Sequence, residues 1–219
     1  QVDSLPSHSV STADPDATPA IGVDVEYCSL DVDIRGNLPA MLQIASPDPR
    51  GPVGLIWLDK FPNHGKDVLH DQTQPGYKDL LSILGNSRIS KVGVGVHEDA
   101  VNLARWWGVD DEEYMSDFIS NTVDICTEYI PPNSEDEAEE LSLKELCAAV
   151  LDKDLPKKKE RNAKQKKAQR KKGKRIKTAH WRADVLTKEM KRYAADDASC
   201  SIDIWLKLLK QQERESVAG

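Results

Sequence analysis

IGVDVEY, residues 21–27, marks the point where a stretch rich in Pro, Ser and Asp gives way to the first apolar run. Alternate side chains of a strand share a face, so Val23 and Val25 point one way and Asp24 and Glu26 the other. Two carboxylates side by side on a core strand repel each other, and something must offset that repulsion. Two later stretches bear on what it is. KVGVGVHEDA (91–100) puts Asp99 at a strand-to-helix junction, where the carboxyl ends of strands in α/β sheets gather ligands. RYAADDA (192–198) places Tyr193 and Asp197 four residues apart, on one face of a helix.

Each feature alone has an ordinary reading. D-x-E is too short to be specific, Asp99 reads as a first-turn acid favoured by the helix dipole, and Asp197 as a surface acid. As a set they say more. Two carboxylates 4 Å apart repel by about 4 kcal/mol at an effective dielectric of 20, so four in one place would destabilise a fold. Divalent cations remove that penalty. Oxygen donors without Cys or His favour Mg²⁺ or Mn²⁺ over zinc, and two such ions are a standard arrangement for in-line phosphodiester cleavage.

The surrounding pattern supplies a frame for these acids. AMLQIAS (40–46) and VGLIWLD (53–59) read as strands, and the turn cluster SPDPRGP between them predicts a hairpin. A helix is predicted over 76–85, a fourth strand over 91–96 and a helix over 98–107 stopped by Gly108. The segment 122–130 opens as a strand and continues as a helix. Ser142 and Glu145 have capping-box spacing for LSLKELCAAVLD. Thr187 precedes a last helix that runs to about 212, with Met190, Tyr193, Ala194, Cys200, Ile204 and Leu208 near helical spacing. Strands first and then strand–helix alternation predict an α/β sheet with helices on its faces.

VDVEY with MLQIAS, then KVGVGVHEDAVNL, then HWRADVLTKEMKRYAADDA resemble, in order, the three motifs of the DEDDy group of 3′–5′ exonucleases, the Werner-type domains and their stand-alone relatives. SLKELCAAVLDKDLPK is similar to the segment preceding the third motif, and the resemblance covers about residues 20–210. It implies an α/β, RNase H-like fold with a mixed five-stranded sheet flanked by helices. It also implies a metal-dependent 3′–5′ exonuclease that releases nucleoside 5′-monophosphates from single-stranded 3′ ends of DNA or RNA with two Mg²⁺ or Mn²⁺ ions. Asp24, Glu26 and Asp197 would hold the metals directly, Asp99 would act largely through water, and Tyr193 would orient the nucleophilic water. The related histidine subclass carries its histidine five residues before the last Asp, where this chain has Arg192, so the tyrosine subclass fits. The competing readings are a catalytically inactive module of the same fold, which binds nucleic acid or a protein, and another RNase H-like enzyme such as an endonuclease. Presence of all four acids and the tyrosine argues against the first, and Y-x-x-x-D on a late helix against the second.

In the family an apolar side chain from the MLQIAS segment wedges against the terminal base, which makes Met41 or Leu42 the candidate, although a core strand explains both equally well. Trp181 matches the tryptophan before the last helix, and packing is its expected role, as for Trp106 and Trp107. The five histidines show no ligand spacing, so His64, His70 and His97 receive no catalytic role.

At 219 residues, 39% apolar, 31% charged and 5% aromatic, the chain fits one lean domain. No apolar stretch approaches the roughly 18 residues needed to cross a bilayer, and no secretory signal pattern is visible. The sequence begins with Gln, so it reads as a fragment, and an organelle is the alternative location to nucleus or cytoplasm if a targeting segment precedes it. Residues 1–18 read as a disordered leader, 19–212 as the exonuclease domain and 213–219 as a disordered tail. Cys28, Cys126, Cys147 and Cys200 form no CxxC, which favours reduced thiols in a cytosolic or nuclear compartment over a zinc site.

Net charge is −7, but residues 157–177 hold 13 of the 30 Lys and Arg and only one of the 37 acids, leaving a body of 17 bases and 36 acids, or −19. The family joins its LPK-like segment to the tryptophan motif by a few residues, so this basic insertion departs from its pattern. It reads three ways: an arm holding substrate phosphates, with Lys157, Arg175 and Lys177 the foremost contacts; a nuclear localisation signal densest at KKGKR; or a solvated insertion that balances the acidic body.

Overall fold

A computed structural model describes residues 19–29, 37–58, 77–107, 116, 120–129, 141–155, 181 and 185–218. The expected leader and the basic segment with Lys157, Arg175 and Lys177 lie outside these residues.

The predicted sheet forms. β1 (Ala20–Ser29), β2 (Asn37–Ala45), β3 (Val53–Trp57), β4 (Ser90–Gly93) and β5 (Thr122–Asp124) make a five-stranded sheet in the order β3-β2-β1-β4-β5. β1 to β3 pair antiparallel as a meander, while β4 runs parallel to β1 and β5 parallel to β4. The sheet is therefore mixed. Between the strands and after them come α1 (Tyr77–Leu84), α2 (Val96–Trp106), α3 (Ile125–Glu128), α4 (Leu143–Leu151) and α5 (Lys188–Ala218).

Alternation along β1 sorts the core into two layers. Val23 and Val25 join Leu42, Leu80, Leu84, Val96, Leu103 and Trp107 on the face covered by α1 and α2. Ala20 and Ala45 lie on the opposite face with Leu146, Val150, Ala198 and Ile202 of α4 and α5. A third cluster, holding Cys28, Ala40, Met41, Trp181, Leu186 and Ala194, continues that second face toward the far end of β1. The register of β2 slips between Glu26 and Tyr27, with Met41 opposite the first and Pro39 opposite the second. Ala40 is the extra residue of this bulge, so Ala40 and Met41 both pack on the α5 side.

Local signals hold at several helix starts. Ser142 and Glu145 form the capping box of α4, and the Thr187 hydroxyl accepts from the Met190 amide at 3.2 Å at the start of α5. Residues 122–128 make the expected strand-to-helix switch, with the Asp124 carboxylate capping α3 through the Cys126 amide at 3.1 Å. Two boundaries differ from expectation. β4 stops at Gly93 and α2 begins at Val96, because Gly95 takes a left-handed φ of 67° that no strand accommodates. The last helix continues to Ala218, so the expected tail is helical over residues 213–218. Its apolar period fades there, but KQQERESVA contains good helix formers and no Gly or Pro to stop the helix.

Candidate active site

Asp24 and Glu26 lie on the face of β1 that α5 crosses. The crossing is close because Gly22 has no side chain: a Cβ there would sit 2.1 Å from the backbone oxygen of Ala198. Contact between Gly22 and Ala198 brings the preceding residue, Asp197, beside the strand. Carboxylate oxygens of Asp24, Glu26 and Asp197 all come within 4.8 Å of one another. Glu26 is 2% exposed and Asp197 9%, while Asp24 is half-buried. Acids from two elements far apart in sequence thus share one poorly hydrated spot.

Tyr193 stands one turn before Asp197 and hydrogen-bonds its carboxylate. Burial pushes the phenol pKa far up, and the charges of Asp197 and Glu26 add to the shift. The hydroxyl therefore stays protonated and is a hydrogen-bond donor toward Asp197. Its ring is held by Trp181, centroid to centroid 6.3 Å, and the backbone oxygen of Trp181 accepts from the Trp57 indole at 3.1 Å.

Asp99 arrives from the opposite layer. The last described pairing of β4 with β1 is Val92 with Gly22, so β1 has no β4 partner alongside Asp24 and Glu26. α2 starts immediately after that strand end, with Asp99 in its first turn. Asp99 lies outside the group of three mutually close carboxylates, yet the charges of Asp24 and Glu26 reach it. Burial, and then the charges of Asp24, Glu98 and Glu26, push its pKa up to about 7, against the opposing effect of a hydrogen bond from Tyr27. That bond runs from the Tyr27 hydroxyl to Asp99 Oδ1 at 2.6 Å.

Met41 faces Glu26 across the β1–β2 pair and is fully buried among Ala40, Trp181, Leu186 and Ala194. Leu42 requires correction as a candidate base contact. It pairs with Val25 and is buried in the other layer beside α1 and α2, on the wrong side of the sheet from the acids. The tryptophans pack as expected, with Trp181 4% and Trp107 0% exposed. His97 is exposed, its Nδ1 3.3 Å from the Thr122 hydroxyl. Arg192 is exposed and pairs with Asp196 at 3.6 Å along the helix.

Two residues near the acids escaped the sequence reading. Tyr27 alternates with Val25 and so reads as another core aromatic; only its hydroxyl hinted at a polar partner. Asp124 accepts from the Gly95 amide at 2.8 Å as well as capping α3, which ties the end of β5 to the start of the helix that carries Asp99.

A mixed five-stranded sheet, helices on both faces and an acidic centre between β1 and the last helix define an RNase H-like fold. Solved structures agree: the Aedes aegypti Nibbler EXO domain aligns with a TM-score of 0.56 at 16% identity over 90% of this chain and 80% of that one. Brucella melitensis NrnC aligns with a TM-score of 0.52 at 18% identity over 91% of this chain and 76% of that one. The family model for the 3′-5′ exonuclease matches residues 10–213, and the chain belongs to that family. Its similarity to Exonuclease 3′-5′ domain-containing protein 2 of Homo sapiens is 30% identity over 196 residues, 87% of this chain and 25% of the relative. The mouse protein of the same name is 28% identical over 87% of this chain and 24% of its own length. The chain thus spans about a quarter of the length of the curated relatives it matches.

Proposed function

We propose that this chain is a divalent-cation-dependent 3′–5′ exonuclease that removes nucleoside 5′-monophosphates from 3′ ends of DNA or RNA. The observation that carries the reading is the convergence of Asp24, Glu26 and Asp197 within 4.8 Å, with Tyr193 bonded to the third of them. At that separation each pair of bare carboxylates repels by about 3–4 kcal/mol at an effective dielectric of 20. The all-oxygen, largely buried donor set suits Mg²⁺ or Mn²⁺.

In this reading Asp24, Glu26 and Asp197 hold the ions, and Asp99 completes the set from α2. Bound cations would supply Lewis acidity and charge neutralisation at the scissile phosphate. The protein supplies the rest. The protonated Tyr193 hydroxyl orients the attacking water by a hydrogen bond, and the buried floor of Met41 and Trp181 fixes where that phenol stands. The basic segment at 157–177 precedes the third motif in sequence and suits the phosphates of a bound strand, which the acidic body would otherwise repel. Its Lys- and Arg-rich composition also fits a nuclear import signal.

The test is direct. End-labelled DNA and RNA oligonucleotides are incubated with Mg²⁺, Mn²⁺ or EDTA, and the ladder is read. A 3′-to-5′ ladder that disappears in EDTA and with Asp24→Ala is expected. Cleavage that persists in excess EDTA, or full activity of Asp24→Ala, refutes the two-cation reading.

A further inference from the structure

We propose that Tyr27 is a positioning residue for Asp99: it fixes one carboxylate oxygen of that acid and leaves the other for a cation or its water. The inference deepens the function proposed above and rests on it. The three clustered acids come from β1 and α5 on one side of the sheet, where close packing at Gly22 sets their spacing. Asp99 has no such constraint. It stands in the first turn of a helix on the other side, and a carboxylate there has free rotation about two side-chain bonds.

The structure removes that freedom with a directional chain of hydrogen bonds. The Asn102 amide Nδ2 donates to the Tyr27 hydroxyl oxygen at 3.4 Å, and the Tyr27 hydroxyl donates to Asp99 Oδ1 at 2.6 Å. A phenol has one hydrogen. With its oxygen accepting from Asn102, that hydrogen goes to Asp99 Oδ1. Asn102 lies three residues after Asp99 and so on the same face of α2, which makes the chain a closed triangle between one helix and one strand. Tyr27 is itself anchored: its ring packs against the cluster formed by Val23, Val25, Leu42 and α2, and the β2 bulge lies directly across from it. Groups that orient a ligand in this way are worth about 10–100-fold in metal affinity or activity.

The test measures Mn²⁺ binding by titration calorimetry on the full chain, beside Mn²⁺-dependent cleavage of a 5′-labelled oligonucleotide and thermal melting. The wild type is expected to show two classes of Mn²⁺ site. Tyr27→Phe, which removes one oxygen and keeps the packing, should leave the tighter class within about twofold and weaken the other about 10–100-fold. Cleavage by this variant should recover as Mn²⁺ is raised, so the loss appears in the metal dependence and not in the limiting rate. Asn102→Leu, which leaves the phenol in place but no longer directs its hydrogen, should shift the same class in the same direction by a smaller factor. Unchanged Mn²⁺ binding in both variants overturns the proposal. So does a tighter second site in Tyr27→Phe, which would mean that the phenol competes with the ion, or a single class of site in the wild type. Equal weakening of both classes with a lowered melting temperature would mean a structural role and overturns it too. Failure of the wild type to cut any strand while Tyr27→Phe still loses the second site would sink the exonuclease reading and leave Tyr27 standing.

Discussion

Replacing Gly22 with alanine puts one carbon where there is no room. The added Cβ would lie 2.1 Å from the Ala198 oxygen and 3.1 Å from both the Ala198 carbonyl carbon and Ile202 Cβ, whereas real Cβ atoms essentially never approach closer than 3.0 Å. The first obstacle is backbone in the middle of a helix, which cannot swing aside as a side-chain tip would. α5 must therefore retreat from β1 by nearly an ångström. Overpacking of this kind costs about 1–3 kcal/mol, offset by about 0.4–1 kcal/mol from the smaller conformational freedom of alanine in the unfolded chain. A net loss of about 1–2 kcal/mol is expected. The displaced residues adjoin Asp197, and a misplacement of roughly 1 Å in a catalytic group costs about 10²-fold in rate. Urea denaturation reads the first quantity and oligonucleotide cleavage the second. Gly54→Ala is the control, because its Cβ would meet only the Ile44 oxygen at 3.8 Å, and it should be neutral or slightly stabilising. If Gly22→Ala matches that control in both stability and turnover, close approach of α5 does not set the spacing of the acids.

Tyr193→Phe should keep the fold and bind Mn²⁺ as the wild type does, while turnover falls by about 10²–10⁴-fold; wild-type turnover would remove the hydroxyl from the chemistry. Trp181→Ala should cost about 3–5 kcal/mol in urea denaturation, as expected for a large aromatic lost from a core. A much smaller loss joined to a raised KM would instead make Trp181 a base-stacking residue. Deleting Lys158 to Lys174 should weaken oligonucleotide binding and flatten its salt dependence, by about 0.7 in log–log slope for each single-strand phosphate contact removed. An unchanged slope leaves nuclear import as the better account of that segment.

The acids were legible because each sits in a local period: i and i+2 on a strand for Asp24 and Glu26, i and i+4 on a helix for Tyr193 and Asp197, the first turn of a helix for Asp99. Such periods fix which side chains share a face, but not how near two elements lie. The contact of Gly22 with Ala198 joins residues far apart in the chain, and nothing in GVDVEY announces it. Alternation alone could not say which of Met41 and Leu42 shares a face with the acids; pairing with Glu26 and Val25, and the clusters each joins, put Met41 on that side and Leu42 on the other. The bulge at Ala40 interrupts the alternation in that same strand, so its period is unreliable from sequence. Tyr27 was hidden for another reason. An aromatic in phase with two valines satisfies the core pattern completely, and its hydrogen bond to Asp99 reaches across 72 residues. Helix length was misjudged where burial and propensity part company, since residues 210–217 are exposed yet helical.

β1 is the first described strand and α5 the last described helix, which gives the acidic centre a history during synthesis. Asp24 leaves the ribosome long before Asp197, and at roughly 5–20 residues per second the interval is about 9–35 s. Through that interval the sheet can pair, but its α5 face, with Gly22, Asp24, Glu26 and Cys28, has no helix to cover it. A nascent or truncated chain therefore leaves Asp24 and Glu26 without Asp197, and the apolar residues of that face without their cover. On the exonuclease reading, catalysis waits for Asp197, and the arrival of α5 both covers that face of the sheet and completes the acidic centre.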